Sequence, residues 1–265
     1  WSLLDSQKRP KLAYWAVREA YAPQRLVIMP ADDGIRVTAV HDGPRSDGEK
    51  TYQCRLKSYR MNGELIDSIE KEVVLQGGQN TEVGLFSLES LKMNSASEVV
   101  IVGELTISRR LFASRMFALA APKHMAFEEP MMECVLDCIV GNKRAVFMLR
   151  SKNIVRGVEF GLPGLKGASV RFDNAVDLWP SREVWIHVDI PLGTSRDDLM
   201  REAKFRCLND AVPGRTVQWR DLEVAQGEGL ASHADDDEMI PLSRVRTTDE
   251  VRKIGSTDDT PIMDN

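Results

Sequence analysis

The sequence predicts an all-β protein: two consecutive immunoglobulin-like sandwiches preceded by one short helix. Three observations predict it. From residue 24 onward, apolar and polar residues alternate with the period of two that half-buried strands require, in short runs broken by turn signals. These runs form two sets of similar rhythm, joined by the connector "APKHMAFEEP", which carries proline near both ends. With 265 residues, 43% hydrophobic and 28% charged, the chain can bury the cores of two domains of about 100 residues each.

The helix lies in "WSLLDSQKRPKLAYWAVREAYAP", residues 1–23. Pro10 suits a first helical turn, Ala13, Ala16, Val17 and Ala20 give one small-residue side, and Pro23 stops the run. Tyr14, Trp15 and Tyr21 add bulk. A helix this short is stabilised mostly by tertiary packing, so a neighbour for it is implied. The side bearing Ala13, Val17 and Ala20, or the neighbouring aromatics, should be exposed or docked on the first sandwich.

The first sandwich is expected over residues 24–121. "RLVIMPADDGIRVTAVHDG" holds two runs around an Asp-Asp-Gly turn, with Ile35, Val37 and Ala39 alternating against polar residues. In the next segment Tyr52, Cys54 and Leu56 face one way and Gln53, Arg55 and Lys57 the other, before the tight turn signal Asn62-Gly63. "NTEVGLFSLESL" and "EVVIVGELTISRRLFASRMFALA" complete about seven short strands, the immunoglobulin-like number.

A second sandwich is expected over 122–212, from "MECVLDCIV", "RAVFMLRS", "RGVEFGL", "SVRFDNAVDLWP" and "REVWIHVDI". In the last of these, Val184, Ile186, Val188 and Ile190 point to one face and Trp185, His187 and Asp189 to the other. Residues 213–265 are polar, acidic and largely without period. They read as a mostly disordered tail, in which "VQWRDLEVAQGEG" is strand- or helix-competent and Asp249 to Ile254 could form a short helix.

Composition narrows the function. A net charge of −5 supplies no basic face for nucleic acid, and no apolar run approaches the roughly 20 residues of a membrane-spanning helix. Any targeting signal is expected upstream of this sequence, so a cytoplasmic, periplasmic or secreted location stays open. Cys54, Cys134, Cys138 and Cys207 are too sparse for a disulfide scaffold. On an extended strand Cys134 and Cys138 would lie about 13 Å apart, beyond the roughly 7 Å a disulfide tolerates, so both read as buried thiols. Together with His124 they lack the second ligand pair of a structural zinc site, and no metal is expected.

Glycine-rich "GLPGLKGAS" (161–169) fits no phosphate-binding pattern and reads as a hairpin loop. The acidic pairs Asp32-Asp33, Glu128-Glu129 and Asp197-Asp198 and the run Asp235 to Glu238 read as turns or solvated surface. Glycosidic acid/base work needs two carboxylates converging from separate elements about 5–10 Å apart. His41 and His233 read as surface histidines. The most distinctive group is Trp179, Trp185 and His187, because an aromatic on the outer face of a sandwich can stack on a sugar ring. The alternative is that Trp185 covers an inter-domain contact while Trp179 seals a loop.

Three segments, in order, resemble the β-mannosidases of glycoside hydrolase family 2. "WSLLDSQKRPKLAYWAVREAYAP" is similar to the passage from the last strand of that family's catalytic (β/α)8 barrel into its final helix. "SRRLFASRMFALAAPKHMAFEEP" is similar to the passage between its fourth and fifth domains, and "VRFDNAVDLWPSREVWIHV" to the "FSDNYFDLLPGE" signature of its C-terminal sandwich. The sequence departs in "DSQKRPK", which replaces an aromatic-Gly turn, in "DNAVDLWPSRE", which lacks the family's aromatic and glycine, and in its last fifty or so residues.

The resemblance implies that the opening helix is a remnant of the barrel and that the parent performs retaining hydrolysis of terminal β-mannosyl residues. Its two catalytic glutamates belong to earlier barrel strands, so no catalytic residue, metal or cofactor is assigned here, and the chain is expected to be inactive alone. Its expected partners are the missing barrel and mannosides. Only Trp1, at the end of a barrel strand, would approach the sugar, with Trp179 and Trp185 as candidate stacking residues. A carbohydrate-binding module and a protein-interaction module are the alternatives.

Overall fold

The computed structural model describes residues 2–6, 10–92, 94–108, 110–171, 174–211 and 217–227. Trp1, His233 and the segment 228–265 lie outside the described residues. The opening helix α1 (Leu12–Ala20) starts later than expected, with Pro10 ahead of it in a bridge to Leu4. Lys11 donates its N–H to the Leu3 carbonyl (3.0 Å) and holds extended backbone, which delays the first turn. Trp15 is buried and Glu19 reaches Arg115 of the first sandwich (2.6 Å), while Ala13, Val17 and Ala20 are exposed.

The first sandwich comprises β1 (Gln24–Ala31), β2 (Gly34–His41), β3 (Glu49–Arg60), β4 (Leu65–Gln76), β5 (Gln79–Phe86), β6 (Val99–Ile107) and β7 (Arg110–Phe117). They form two sheets in the orders β1-β2-β5 and β4-β3-β6-β7. Asp32 and Asp33 occupy the turn that closes the Ala31–Gly34 pair. A side chain at Gly34 would run into the Phe86 carbonyl, so the turn lies against β5. Tyr52, Cys54 and Leu56 pack against Ile35, Val37 and Ala39, with the alternation expected from the sequence. Burial pushes the Cys54 thiol up to about 12, so it stays protonated as a packing group. His41 is buried rather than at the surface, because Phe112 lies over it with ring centroids 5.4 Å apart.

Strand β6, "VVIVGELTI", is buried along nearly its whole length. Val99, Ile101 and Leu105 enter the sandwich core, whereas Val100 and Val102 belong to a separate cluster with residues of the second sandwich. Its continuous apolar run marks a strand covered on both faces.

The second sandwich comprises β8 (Met132–Val140), β9 (Arg144–Ser151), β10 (Val155–Gly161), β11 (Ser169–Val170), β12 (Val176–Leu178), β13 (Val184–Asp189), helix α2 (Arg196–Glu202), β14 (Lys204–Arg206), β15 (Arg220–Asp221) and β16 (Val224–Gln226). One sheet runs β12-β10-β14-β15 and the other β11-β13-β9-β8-β16. Val184, Ile186, Val188 and Ile190 are buried in its core, with Trp185, His187 and Asp189 half-buried on the opposite face.

Four features differ from the sequence reading. The 161–169 loop is not a hairpin: it leaves β10 in one sheet and enters β11 in the other. Asp197 and Asp198 open α2 rather than a turn, because Ser195 and Asp198 form a reciprocal capping box that starts a helix. A bulge between Leu136 and Cys138 turns Asp137 inward and leaves Cys138 only half-buried, whereas Cys134 is buried. Finally, residues 220–226 complete both sheets, β15 beside β14 and β16 parallel to β8. The second sandwich therefore continues past residue 212, since the edges of β14 and β8 have backbone groups to pair.

Candidate functional site: a seam and a cleft between the sandwiches

The two sandwiches meet along a buried, largely apolar seam. Tyr59 and Met61 at the end of β3, Val100 and Val102 on β6, and Met116 on β7 pack with Met125 of the connector and with Ile154 and Trp179. The Asn62-Gly63 turn presses into the second sandwich. Ile154 donates its N–H to the Met61 carbonyl (3.1 Å), and a side chain at Gly63 would meet the Lys152 carbonyl. Gly63 holds φ +90°, the left-handed region that glycine enters without steric cost.

Charge is threaded through this seam. Lys57 on β3 pairs with Glu104 on β6 (2.7 Å), and the indole N–H of Trp179 donates to the other oxygen of the same carboxylate (3.1 Å). Glu104 and Trp179 are 9% and 0% exposed, so this carboxylate is satisfied from both domains. Arg182 closes the group, its guanidinium 4.1 Å over the Trp179 ring and its Nη1 donating to the Asp177 carbonyl (2.7 Å). Burial first, then the Glu104 charge, pushes the Tyr59 phenol up to about 12, against the opposing pull of a Ser181 hydrogen bond and the Arg55 charge.

"DNAVDLWPSRE" builds both the seam and the space beside it. Asn174 accepts from the Phe160 N–H (2.7 Å) and donates to its carbonyl (2.9 Å), as a neighbouring strand would. Asp177 Oδ1 accepts from Arg156 (3.1 Å) and from the Gly157 N–H (2.8 Å). Pro180 and Ser181 form a tight turn closed by Arg182 N–H to the Trp179 carbonyl (3.0 Å). Ser181 holds φ +71°, a conformation glycine adopts freely and other L-residues reach at a cost of roughly 1–2 kcal/mol. Its hydroxyl, which glycine lacks, is what meets Tyr59.

Beside the seam opens a cleft of about 440 Å³, walled by α1, β1 and β7 on one side and by β12 and β13 on the other. Its charged lining is Arg18, Glu19, Arg25, Arg115, Asp177 and Arg182, with Trp185 and His187 beside them. Enclosure opposes the charge on Arg115, but Glu19 and Asp177 outweigh it and hold its guanidinium more firmly charged than usual. Both cleft carboxylates are engaged by arginine, Glu19 by Arg115 and Asp177 by Arg156. Four arginines thus stand against two carboxylates in the lining, a net positive set.

The sequence candidates therefore separate. Trp179 is fully enclosed in the seam, with no ring face available for a sugar. Trp185 and His187 line the cleft. Trp1 lies outside the described residues. Among the described residues no group of three or more potential metal ligands comes together, and all four cysteines are free thiols. Glu19, Glu104, Arg115 and Asp177 were not singled out by sequence. The readable signal was an acidic residue inside the apolar run of β6, where an unpaired charge would be costly.

Residues 37–124 match the family described as Mannosidase Ig/CBM-like domain. Among solved structures, the chain is similar to a β-D-mannosidase from Dictyoglomus thermophilum, with 14% identity and a TM-score of 0.64, covering 85% of this chain and 25% of that one. It is also similar to an exo-chitosanase from Amycolatopsis orientalis, with 14% identity and a TM-score of 0.57, covering 83% of this chain and 29% of that one. No curated protein matches the sequence. The chain thus spans between a quarter and a third of the length of these enzymes, and at this identity the likeness establishes the fold. The match to the Mannosidase Ig/CBM-like family lies within the first sandwich and its connector, and the chain as a whole shares the fold of the matching regions of these two enzymes.

Proposed function

We propose that this Ig/CBM-like region is the non-catalytic C-terminal part of a β-mannosidase-like exo-glycosidase, in which the two sandwiches brace a catalytic barrel and help wall its cleft. The observation that carries this reading is α1. Its nine residues bury Trp15 and hold Glu19 on Arg115 of the first sandwich while Ala13, Val17 and Ala20 stay exposed. A helix this short gains its stability by packing, and a small-residue side suits close approach of another element. The order of sequence segments and the family match at 37–124 support the same reading.

In that parent the reaction is retaining hydrolysis of a terminal β-mannosyl residue by two carboxylates, both supplied by the barrel. Sugar choice is made there too, so a glucosaminide is the competing substrate class. The purified chain is expected to turn over neither an aryl β-mannoside nor an aryl β-glucosaminide, and turnover that follows the chain through purification would overturn the proposal. The coding sequence ahead of Trp1 is the second test. It should encode a barrel with an Asn-Glu acid/base motif and a later glutamate; a start codon close to Trp1, preceded in frame by a stop, would rule the reading out.

A further inference from the structure

Three sheet edges open onto the inter-domain cleft. Strands β1, β7 and β12 each stand at the end of their sheet, and among the described residues no further strand pairs with their outer edges. Residues 24–28, 112–116 and 174–177 line the cleft as unbroken runs. Side chains alternate between the two faces of a strand, so a cavity that touches every residue of a run lies against the strand's edge and not on a face. What borders the cleft is therefore backbone, with N–H and C=O groups of the kind that template another strand. On β12 the Asp177 carbonyl is already taken by Arg182, so the longer run on β7 is the better template.

The charge of the lining selects what can be added there. Arg18, Arg25, Arg115 and Arg182 outnumber Glu19 and Asp177. Two partners outside the lining, Asp42 on Arg25 and Arg156 on Asp177, are of opposite sign and leave that excess in place. Arg115 stands between the walls: it belongs to β7, pairs with Glu19 of α1 and feels the charge of Asp177 on β12. A basic segment would meet four guanidiniums, whereas carboxylates complement them. A small anion would answer the charge alone. An extended acidic peptide answers the charge and the strand edge together.

We propose that the cleft receives an extended acidic segment of a partner protein, its backbone hydrogen-bonded to the outer edge of β7 and its carboxylates facing Arg18, Arg115 and Arg182. Both walls belong to this chain, so the interaction needs no catalytic barrel and is read by binding rather than turnover. Its failure would leave the accessory reading standing.

The test is calorimetric titration of the full chain with a capped octapeptide carrying glutamate at every second position, and with its glutamine counterpart. The acidic peptide should bind at least about tenfold more tightly, and its affinity should fall as salt screens the contact. Amide exchange at residues 112–116 should slow in its presence. Arg115→Gln removes a guanidinium and leaves Glu19 unpaired, and should weaken binding at least about fivefold. If that variant fails to fold, Arg18→Gln on α1 decides, with the same direction expected. The proposal is overturned by absence of heat at millimolar concentration, by equal affinity for the glutamine peptide, or by unchanged affinity in the arginine variant. Unchanged exchange at 112–116 would mark a site for small anions only and overturns it too. So does binding that appears only after Asp235 to Glu238 are replaced by their amides, which would make the chain's own acidic run the occupant.

Discussion

Trp179 and Trp185 come from one short segment and show how differently a single protein uses the same side chain. Trp179 is completely enclosed, its N–H bonded to Glu104 of the other sandwich and its ring covered by Arg182. Trp185 sits half-buried on the outer face of β13, at the edge of an open cleft. The first holds the domains together; the second lines the space between them. Seam and cleft share neighbouring residues of "DNAVDLWPSRE", with Trp179 in the seam and Asp177 and Arg182 in the cleft wall.

The seam should break at its charge first. Glu104→Ala leaves Lys57 buried without its partner and the Trp179 N–H unsatisfied, and is expected to cost about 3–5 kcal/mol in chemical denaturation. A loss below about 1 kcal/mol would show that the pair is solvated and the seam wet.

Alkaline pH tests the same place without a mutation. The Tyr59 phenol is raised from 10.0 to about 12 in the folded chain. Its contribution is therefore fully present below about pH 10 and is lost as pH rises toward 12, amounting to about 2–3 kcal/mol. A spectrophotometric titration in which every tyrosine ionised together near its ordinary range would contradict this.

Gly63→Ala probes the docked turn. The new methyl meets the Lys152 carbonyl, and φ +90° strains an alanine, so a loss of about 1–3 kcal/mol is expected. Limited proteolysis should then cut the connector faster; an unchanged cleavage rate would mean that the turn does not couple the domains. The smallest effect belongs to the cleft. Arg115→Gln removes a solvent-facing ion pair and should change stability by less than about 1 kcal/mol. A larger loss in thermal unfolding would move Arg115 from the cleft to the seam.

Much of the architecture was legible. Alternation in "TYQCRLK" and "VWIHV" identified the buried faces of β3 and β13, and Asp32-Asp33 and Asn62-Gly63 marked the β1–β2 and β3–β4 turns, because strand period and turn chemistry act over a few residues. The capping box of α2 was equally local and could have been read from "SRDD". Less accessible were His41, covered by Phe112 from a distant strand, and β15 and β16, whose short segments gain order only by pairing with edges already formed.

By itself the sequence determined where strands run, which side of each is apolar, and that a short helix precedes two sandwiches. Only the tertiary structure decided what covers the outer faces. Periodicity assigns Lys57, Tyr59 and Glu104 to the outside of the first sandwich, and that assignment is correct for the domain alone. Their burial depends on Trp179, 75 residues beyond Glu104. A contact of that range follows from how two completed sheets pack, which no local pattern encodes.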